Sequence, residues 1–169
     1  DGMSATFIKR EDKFQVCSRN FELKEGFNEF WNIAKKYDLA NRMPMNFVMQ
    51  GELVGPGIQK NRFSLKENDL FVFNVFNLNT KKYMEYDDMV IFCERLDIKC
   101  VPLAFSVNKE ELKTFNFTVE NFLELAKGTY DSSKNRREGI VIRPKEETVS
   151  NTLKGDRFSF KVINNEFLL

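Results

Sequence analysis

Histidine is absent from the 169 residues. That excludes imidazole general bases, nucleophilic triads built on histidine, and imidazole metal ligands. Any chemistry must run on lysine, arginine and carboxylates. Cysteine is scarce. Cys17, Cys93 and Cys100 are odd in number and lack the paired spacing of a zinc site. They read as buried free thiols of a reducing, intracellular compartment, and the expected location is cytoplasmic. No apolar run reaches the ~20 residues that span a bilayer, and nothing resembles a signal peptide, so no membrane partner is expected. Neither sign of charge is in excess: 26 Lys and Arg face 25 Asp and Glu. Such a balance argues against a nonspecific nucleic-acid coat and leaves room for a local basic patch.

Phenylalanine, by contrast, is abundant at 18 residues, so rings should dominate the core. A chain of this length can bury such a core as one domain. Short alternating segments outnumber helical ones. Residues 3–9 and 14–19 read as a strand pair around a polar turn. Residues 26–38 place Phe27, Phe30, Trp31, Ala34 and Tyr37 on one helical face. Strands are expected at 47–54, 70–78, 98–103, 140–143 and 158–163. A helix is expected at 86–96, with Met89, Val90, Phe92, Cys93 and Leu96 inward. Another starts at a Thr118 cap and ends at Gly128. The fold class is α+β with mainly antiparallel sheets.

Glu52 is the strongest internal signal. In the 47–54 strand, Phe47, Met49 and Leu53 share one face, and Gln50 and Glu52 the other. A carboxylate just before Gly55-Pro56-Gly57 stands at a sheet rim, where the glycines let the chain bend close to a bound group. An exposed strand-end glutamate before an ordinary turn is the plainer alternative. Lys161 alternates with Phe160 and Val162, and an isolated strand lysine needs a counter-charge, either a phosphate or a carboxylate, unless it merely snorkels to water. Glu138 and Arg143 bracket an apolar strand. Carboxylates such as Glu52 and Glu138 are hard ligands suited to Mg²⁺, often through water. Arg143-Pro144 also fits a simple edge-strand end. Lys134, Arg136 and Arg137 form a basic cluster that reads more readily as a solvated loop than as a nucleic-acid contact. Arg19, just after a strand, offers a planar fork for a ribose or phosphate, or a surface ion pair. Phe73 is either core or a surface on which a purine stacks.

Four stretches stand in a telling order: Asp1-Gly2-Met3-Ser4, Gly51-Glu52-Leu53-Val54-Gly55-Pro56-Gly57-Ile58-Gln59, Glu138-Gly139-Ile140-Val141-Ile142-Arg143-Pro144, and Phe160-Lys161-Val162-Ile163-Asn164. Together they resemble the nucleotide-binding motifs of the covalent nucleotidyltransferase superfamily, and most closely its ATP-dependent RNA ligases. The Gly-Pro-Gly-Ile-Gln extension and Ser18-Arg19-Asn20 resemble the branch of phage-type and RNA-editing ligases. The resemblance implies a nucleotidyltransferase (ATP-grasp-like ligase adenylation) fold, with antiparallel sheets flanked by helices around a nucleotide cleft. It implies that residues 1–169 are the adenylation domain without its extreme N-terminal part. The nucleophilic lysine of the family falls two positions before Asp1, and an upstream accessory RNA-binding domain is expected with it. Lys9 is no substitute, since eight extended residues from Asp1 put it about 25 Å away at ~3.3 Å per residue.

The implied reaction joins 3′-hydroxyl and 5′-phosphate RNA ends with ATP and Mg²⁺ or Mn²⁺, through lysine–AMP and RNA-adenylate intermediates. By position, Asp1 supports the nucleophile, and Gly2 and Ser4 belong to the nucleotide-binding motif. Glu52 contacts the ribose and the metal environment. Glu138 positions a hydrated cation, Lys161 touches the α-phosphate, Arg19 meets the sugar or the RNA end, and Phe73 stacks on adenine, with Phe71 one register away. Ile163 departs from the family, which often has a second lysine there; Arg143 or Lys154 are the candidates to compensate. The alternatives are a non-catalytic nucleotide- or RNA-end-binding module on the same scaffold, or a DNA ligase or capping guanylyltransferase relative.

Overall fold

Alternation of small and apolar residues drives the first strand, β1 (Met3–Lys9), which buries Ala5 and Phe7 and turns Ser4 and Thr6 the other way. It pairs antiparallel with β2 (Phe14–Cys17) on one side and with β3 (Phe47–Val54) on the other. β3 in turn pairs antiparallel with β4 (Asp69–Asn77), which is flanked by short β5 (Lys82–Tyr83) and, in parallel, by β6 (Lys99–Cys100). The computed structural model describes residues 2–152 and 156–168, apart from the side chains of Asp156 and Leu168. Asp1 and Lys154 therefore lie outside the described residues. By internal contacts the chain divides into two units. The first runs to Val101 and takes in Lys145–Glu147; the second comprises Pro102–Pro144 and the chain from Thr148 onward.

In the first unit, helices cover one face of the sheet. α1 (Glu29–Lys36), α2 (Leu39–Arg42) and α3 (Tyr86–Arg95) bring Ile33, Leu39, Met89, Phe92 and Cys93 against Phe7, Met49, Leu53, Leu70 and Val72. Phe27 does not join that face. The Asn28 side chain accepts the Trp31 N–H and so caps α1, which leaves Phe27 one residue before the cap and fully exposed. Three strand expectations are shortened, one of them because the strand expected at 158–163 pairs only from Phe160. β2 stops at Cys17 because Ser18 turns back through Phe21, and β6 ends at Cys100 rather than at Leu103.

The second unit is built on a two-stranded antiparallel sheet. β7 (Gly139–Ile142) pairs with β10 (Phe160–Ile163). Before it come α4 (Lys109–Leu112), closed by an Asn108–Glu111 capping box, and α5 (Val119–Ala126), capped by Thr118. β8 (Val149–Ser150) and β9 (Asp156–Arg157) form a second small ladder, and a 3₁₀ turn (Asn165–Leu168) follows β10. Phe160 meets Phe122 of α5 edge-on, with ring centroids 5.6 Å apart, and thereby seats one face of the sheet on the helix. Among the described residues no helix is long and apolar enough to cross a membrane.

Candidate functional site

The sheet face of the first unit that points away from its core helices carries the polar side chains. Register sets them in rows. Ser4 stands opposite Glu52, and Glu52 opposite Phe71; in the next row Thr6 stands opposite Gln50, and Gln50 opposite Asn74. The Asn74 amide donates to the Gln50 side-chain oxygen at 3.2 Å. Between these rows β4 carries one extra residue, since Gly51 pairs with Val72 and Gln50 with Asn74. Phe73 is that extra residue. A β-bulge of this kind breaks strict alternation, so the buried apolar positions of β4 run Leu70, Val72, Val75. Phe73 stays only partly buried, outside the core.

Glu52 is seated by its neighbours. A side chain at Gly2 would meet the Glu52 Cγ at 2.6 Å and the Val54 Cγ1 at 2.7 Å, so only glycine leaves room for the glutamate to lie against the first strand. Just beyond, Gly55-Pro56-Gly57-Ile58 forms a tight turn in which the Ile58 N–H reaches the Gly55 carbonyl. Proline second and a positive φ of 78° at Gly57 third match a type II turn. The turn sinks Ile58 into the core and aims Gln59 back, where its amide donates to the Gly2 carbonyl at 2.5 Å. The Gly-Pro-Gly-Ile-Gln extension thus ties the second motif to the first. That tie was not legible in the sequence, because it joins residues 57 apart in the chain.

Behind Phe71 lies a buried charge. Asp69 accepts from the Tyr37 hydroxyl, from the Leu70 N–H at 2.9 Å and from the Lys99 ammonium at 2.7 Å. Burial pushes the Asp69 carboxyl upward, but the hydrogen bonds outweigh it and hold the group below the usual range. Tyr37 is pushed up, first by burial and then by Asp69. The Lys99 ammonium also lies 5.6 Å from the Phe71 ring centre, and Phe63 stacks on that ring at 5.1 Å. Arg19 is exposed in the turn after β2, at the end of the sheet where β1 begins.

In the second unit, Lys161 stands opposite Val141 on the face of β7–β10 turned away from α5. Its counter-charge is Glu138: the ammonium donates to the Glu138 Oε1 at 2.5 Å. Burial raises the Glu138 carboxyl and the Lys161 hydrogen bond is the largest opposing influence; the net lies below the ordinary value. Arg143 donates to the Ser159 hydroxyl at 3.2 Å on this same face. Val141 is half-exposed between these charged side chains, an apolar patch to which the sequence reading gave no role.

The basic cluster is largely occupied with structure. Arg137 donates to the Leu125 and Ala126 carbonyls at the end of α5, and Arg136 donates to the Glu166 carbonyl at 2.8 Å. The cysteines are free, with Cys93 buried and Cys17 and Cys100 half-buried. The Cys93 thiol is pushed up by its hydrogen bond with Cys100 and by burial. No group of three or more acidic or cysteine side chains able to cage a metal ion gathers among the described residues. Glu52 and Glu138 are each single hard oxygen ligands, and a hydrated Mg²⁺ or Mn²⁺ needs only one or two such carboxylates when phosphate oxygens complete its shell.

A family model described as RNA ligase matches residues 1–163. A point variant of the Naegleria gruberi RNA ligase, solved with ATP and manganese, superposes with a TM-score of 0.82 at 29% identity, over 99% of this chain and 48% of that one. The same ligase with pyrophosphate gives a TM-score of 0.80 at 30% identity and the same coverage. A variant of it with AMP and manganese gives 0.79 at 30%. The chain spans about half the length of those ligases, and its mixed, mostly antiparallel fold is theirs. None of the curated proteins compared matches the sequence.

Proposed function

Because the chain belongs to the RNA ligase family, we propose that it is the nucleotide-binding part of an ATP-dependent ligase that seals RNA 3′-hydroxyl and 5′-phosphate ends. The observation that supports this reading most is the Lys161–Glu138 pair at 2.5 Å on an open sheet face. It supplies a compact cation suited to phosphate beside a carboxylate suited to a hydrated metal. Ser4, Glu52 and the Gln59-tethered Gly2 supply a second polar set on the first unit. The solved Naegleria ligases hold ATP, AMP, pyrophosphate and manganese.

In this reading a lysine two positions before Asp1 attacks the α-phosphorus of ATP. The N–P bond forms, the bond to the bridging oxygen breaks, pyrophosphate leaves with the electron pair, and the lysine gives up a proton. AMP then passes to the RNA 5′-phosphate, and the 3′-hydroxyl displaces it. Such transfers need charge neutralisation and in-line placement more than a strong base, which suits a chain without histidine. A bound divalent cation supplies charge neutralisation at the phosphates. Lys161 steadies the α-phosphate, Glu52 the ribose, and Glu138 the hydrated cation. Arg19 meets the sugar or the RNA end, and Phe73, which the bulge keeps out of the core, stacks on the base. Arg143 is a further phosphate contact in place of the lysine that Ile163 replaces.

Intact-mass analysis of the full-length protein with ATP and Mg²⁺ tests this. One AMP adduct is expected, absent with EDTA. Lys161→Ala and Glu52→Ala should each cut its rate by about 10²–10³-fold, the scale of losing one pre-placed electrostatic contact. No adduct from the unaltered protein points to a non-catalytic binding module, and an adduct from GTP instead of ATP points to a capping relative.

A further inference from the structure

Asn164 follows the last residue of β10 and is buried at 1% exposure; with Asp69 it makes up the buried polar side chains among the described residues. Strand pairing does not require it, because the β7–β10 ladder ends where Ile163 meets Gly139. Its bonds go elsewhere. The Asn164 backbone N–H donates to the Glu138 carbonyl at 2.8 Å, and its side-chain amide donates to the Arg137 carbonyl at 3.0 Å. Its side-chain oxygen accepts the Glu166 N–H at 3.1 Å. Two successive carbonyls, on either side of the Glu138 Cα, are thus held by one residue. The Glu138 N–H is held as well, by the Tyr130 hydroxyl at 3.5 Å. Next in the chain, a side chain at Gly139 would come within 2.0 Å of the Val162 carbonyl, so the strands approach as closely as backbone allows. Glu138 therefore has a fixed Cα and only its own side-chain torsions with which to meet Lys161.

We propose that Asn164 is a positioning residue for the ligase reaction, clamping the backbone of Glu138 so that its carboxylate stands where the metal and Lys161 require it. The proposal rests on the ligase reading above. It is not a contact with substrate, since a side chain this buried reaches neither nucleotide nor RNA. A residue that orients a metal-holding carboxylate alters metal affinity by about 10–100-fold when removed.

The test uses the full-length protein and Mn²⁺ as the probe, with free Mn²⁺ read by electron paramagnetic resonance in the presence of ATP. Asn164→Ala should weaken Mn²⁺ binding at least about 10-fold. In a Glu138→Gln background the same change should add nothing to the metal affinity, because the group it acts through is gone. Hydrogen exchange gives a reading independent of the metal: the amides of Glu138 to Ile140 should exchange faster in Asn164→Ala, and those of β1, β3 and β4 should not. Should Asn164→Ala unfold the second unit, Asn164→Ser, which keeps a small polar side chain, is read the same way. Equal weakening in both backgrounds, or unchanged exchange at Glu138, overturns the clamp. Failure of the unaltered protein to bind Mn²⁺ with ATP or to form an AMP adduct overturns the ligase reading, and the clamp with it, whatever Asn164 does to exchange.

Discussion

Asp69 shows how a single buried charge is tolerated. Its carboxylate collects a tyrosine hydroxyl, a lysine ammonium and a backbone N–H, so little of its hydrogen-bonding capacity is lost on leaving water. Asp69→Ala leaves the Tyr37 hydroxyl and the Leu70 N–H without that partner, and should cost about 1–3 kcal/mol at neutral pH. The pH dependence has a definite sign. A carboxyl held below its ordinary value contributes fully above about pH 4, and the contribution is lost as pH falls through the lower folded-state value. Tyr37 is raised, so its share is complete below about pH 10 and is lost as pH rises further. Urea unfolding of the unaltered protein and Asp69→Asn across this range is the check. The two stability curves should converge on the acid side, and a gap as wide at pH 2.5 as at pH 7 would rule this account out.

At the scale of elements, the ladder of β7 and β10 depends on one residue without a side chain. Gly139 has φ 154° and lies against the Val162 carbonyl. Gly139→Ala adds strain and a backbone clash and should destabilise the second unit by about 1–3 kcal/mol. Faster hydrogen exchange in β7 and β10, with the β1–β3–β4 sheet unchanged, is the expected signature. The position of Glu52 also belongs to this scale. Its face was legible from alternation in β3, since Met49 and Leu53 had to be buried together. The place of Phe73 was not. One extra residue in β4 shifts the alternation, and no local feature of Phe71-Val72-Phe73-Asn74 announces the bulge, which exists only relative to the partner strand. Phe27 failed for a related reason: its apolar spacing fitted the helix, but the Asn28 cap set the start at Glu29, three residues after the expected start at 26.

For the whole molecule, the missing histidines carry a consequence. Cys17 and Cys93 are raised and the shifted carboxyls are lowered, so among the described residues only Cys100, lowered by its hydrogen bond with Cys93, moves toward neutrality from the thiol range, and titration just below neutrality is sparse. Folding stability should change by no more than about 0.5 kcal/mol between pH 5.5 and 7, where folded and unfolded chains bind nearly equal numbers of protons. Denaturation at steps of half a pH unit tests this, and a steep slope in that window would contradict it. The two units divide the motifs evenly. The first holds Gly2, Ser4 and Glu52, and the second holds Glu138, Arg143, Lys161 and Asn164. The one-domain expectation from length says nothing of such a division, because it counts residues rather than contacts.

Side-chain period and turn chemistry were enough to place β1, β3, α3 and the Gly-Pro-Gly turn, because each depends on residues within a few positions of one another. The order of the four motifs carried the family for the same reason: it is written along the chain. What Lys161 binds, what Gln59 holds and why Asn164 is buried depend on partners 23, 57 and 27 residues away. Those pairings exist only once strands register against one another, since a hydrogen bond over a few ångströms is decided by folding and not by sequence neighbourhood.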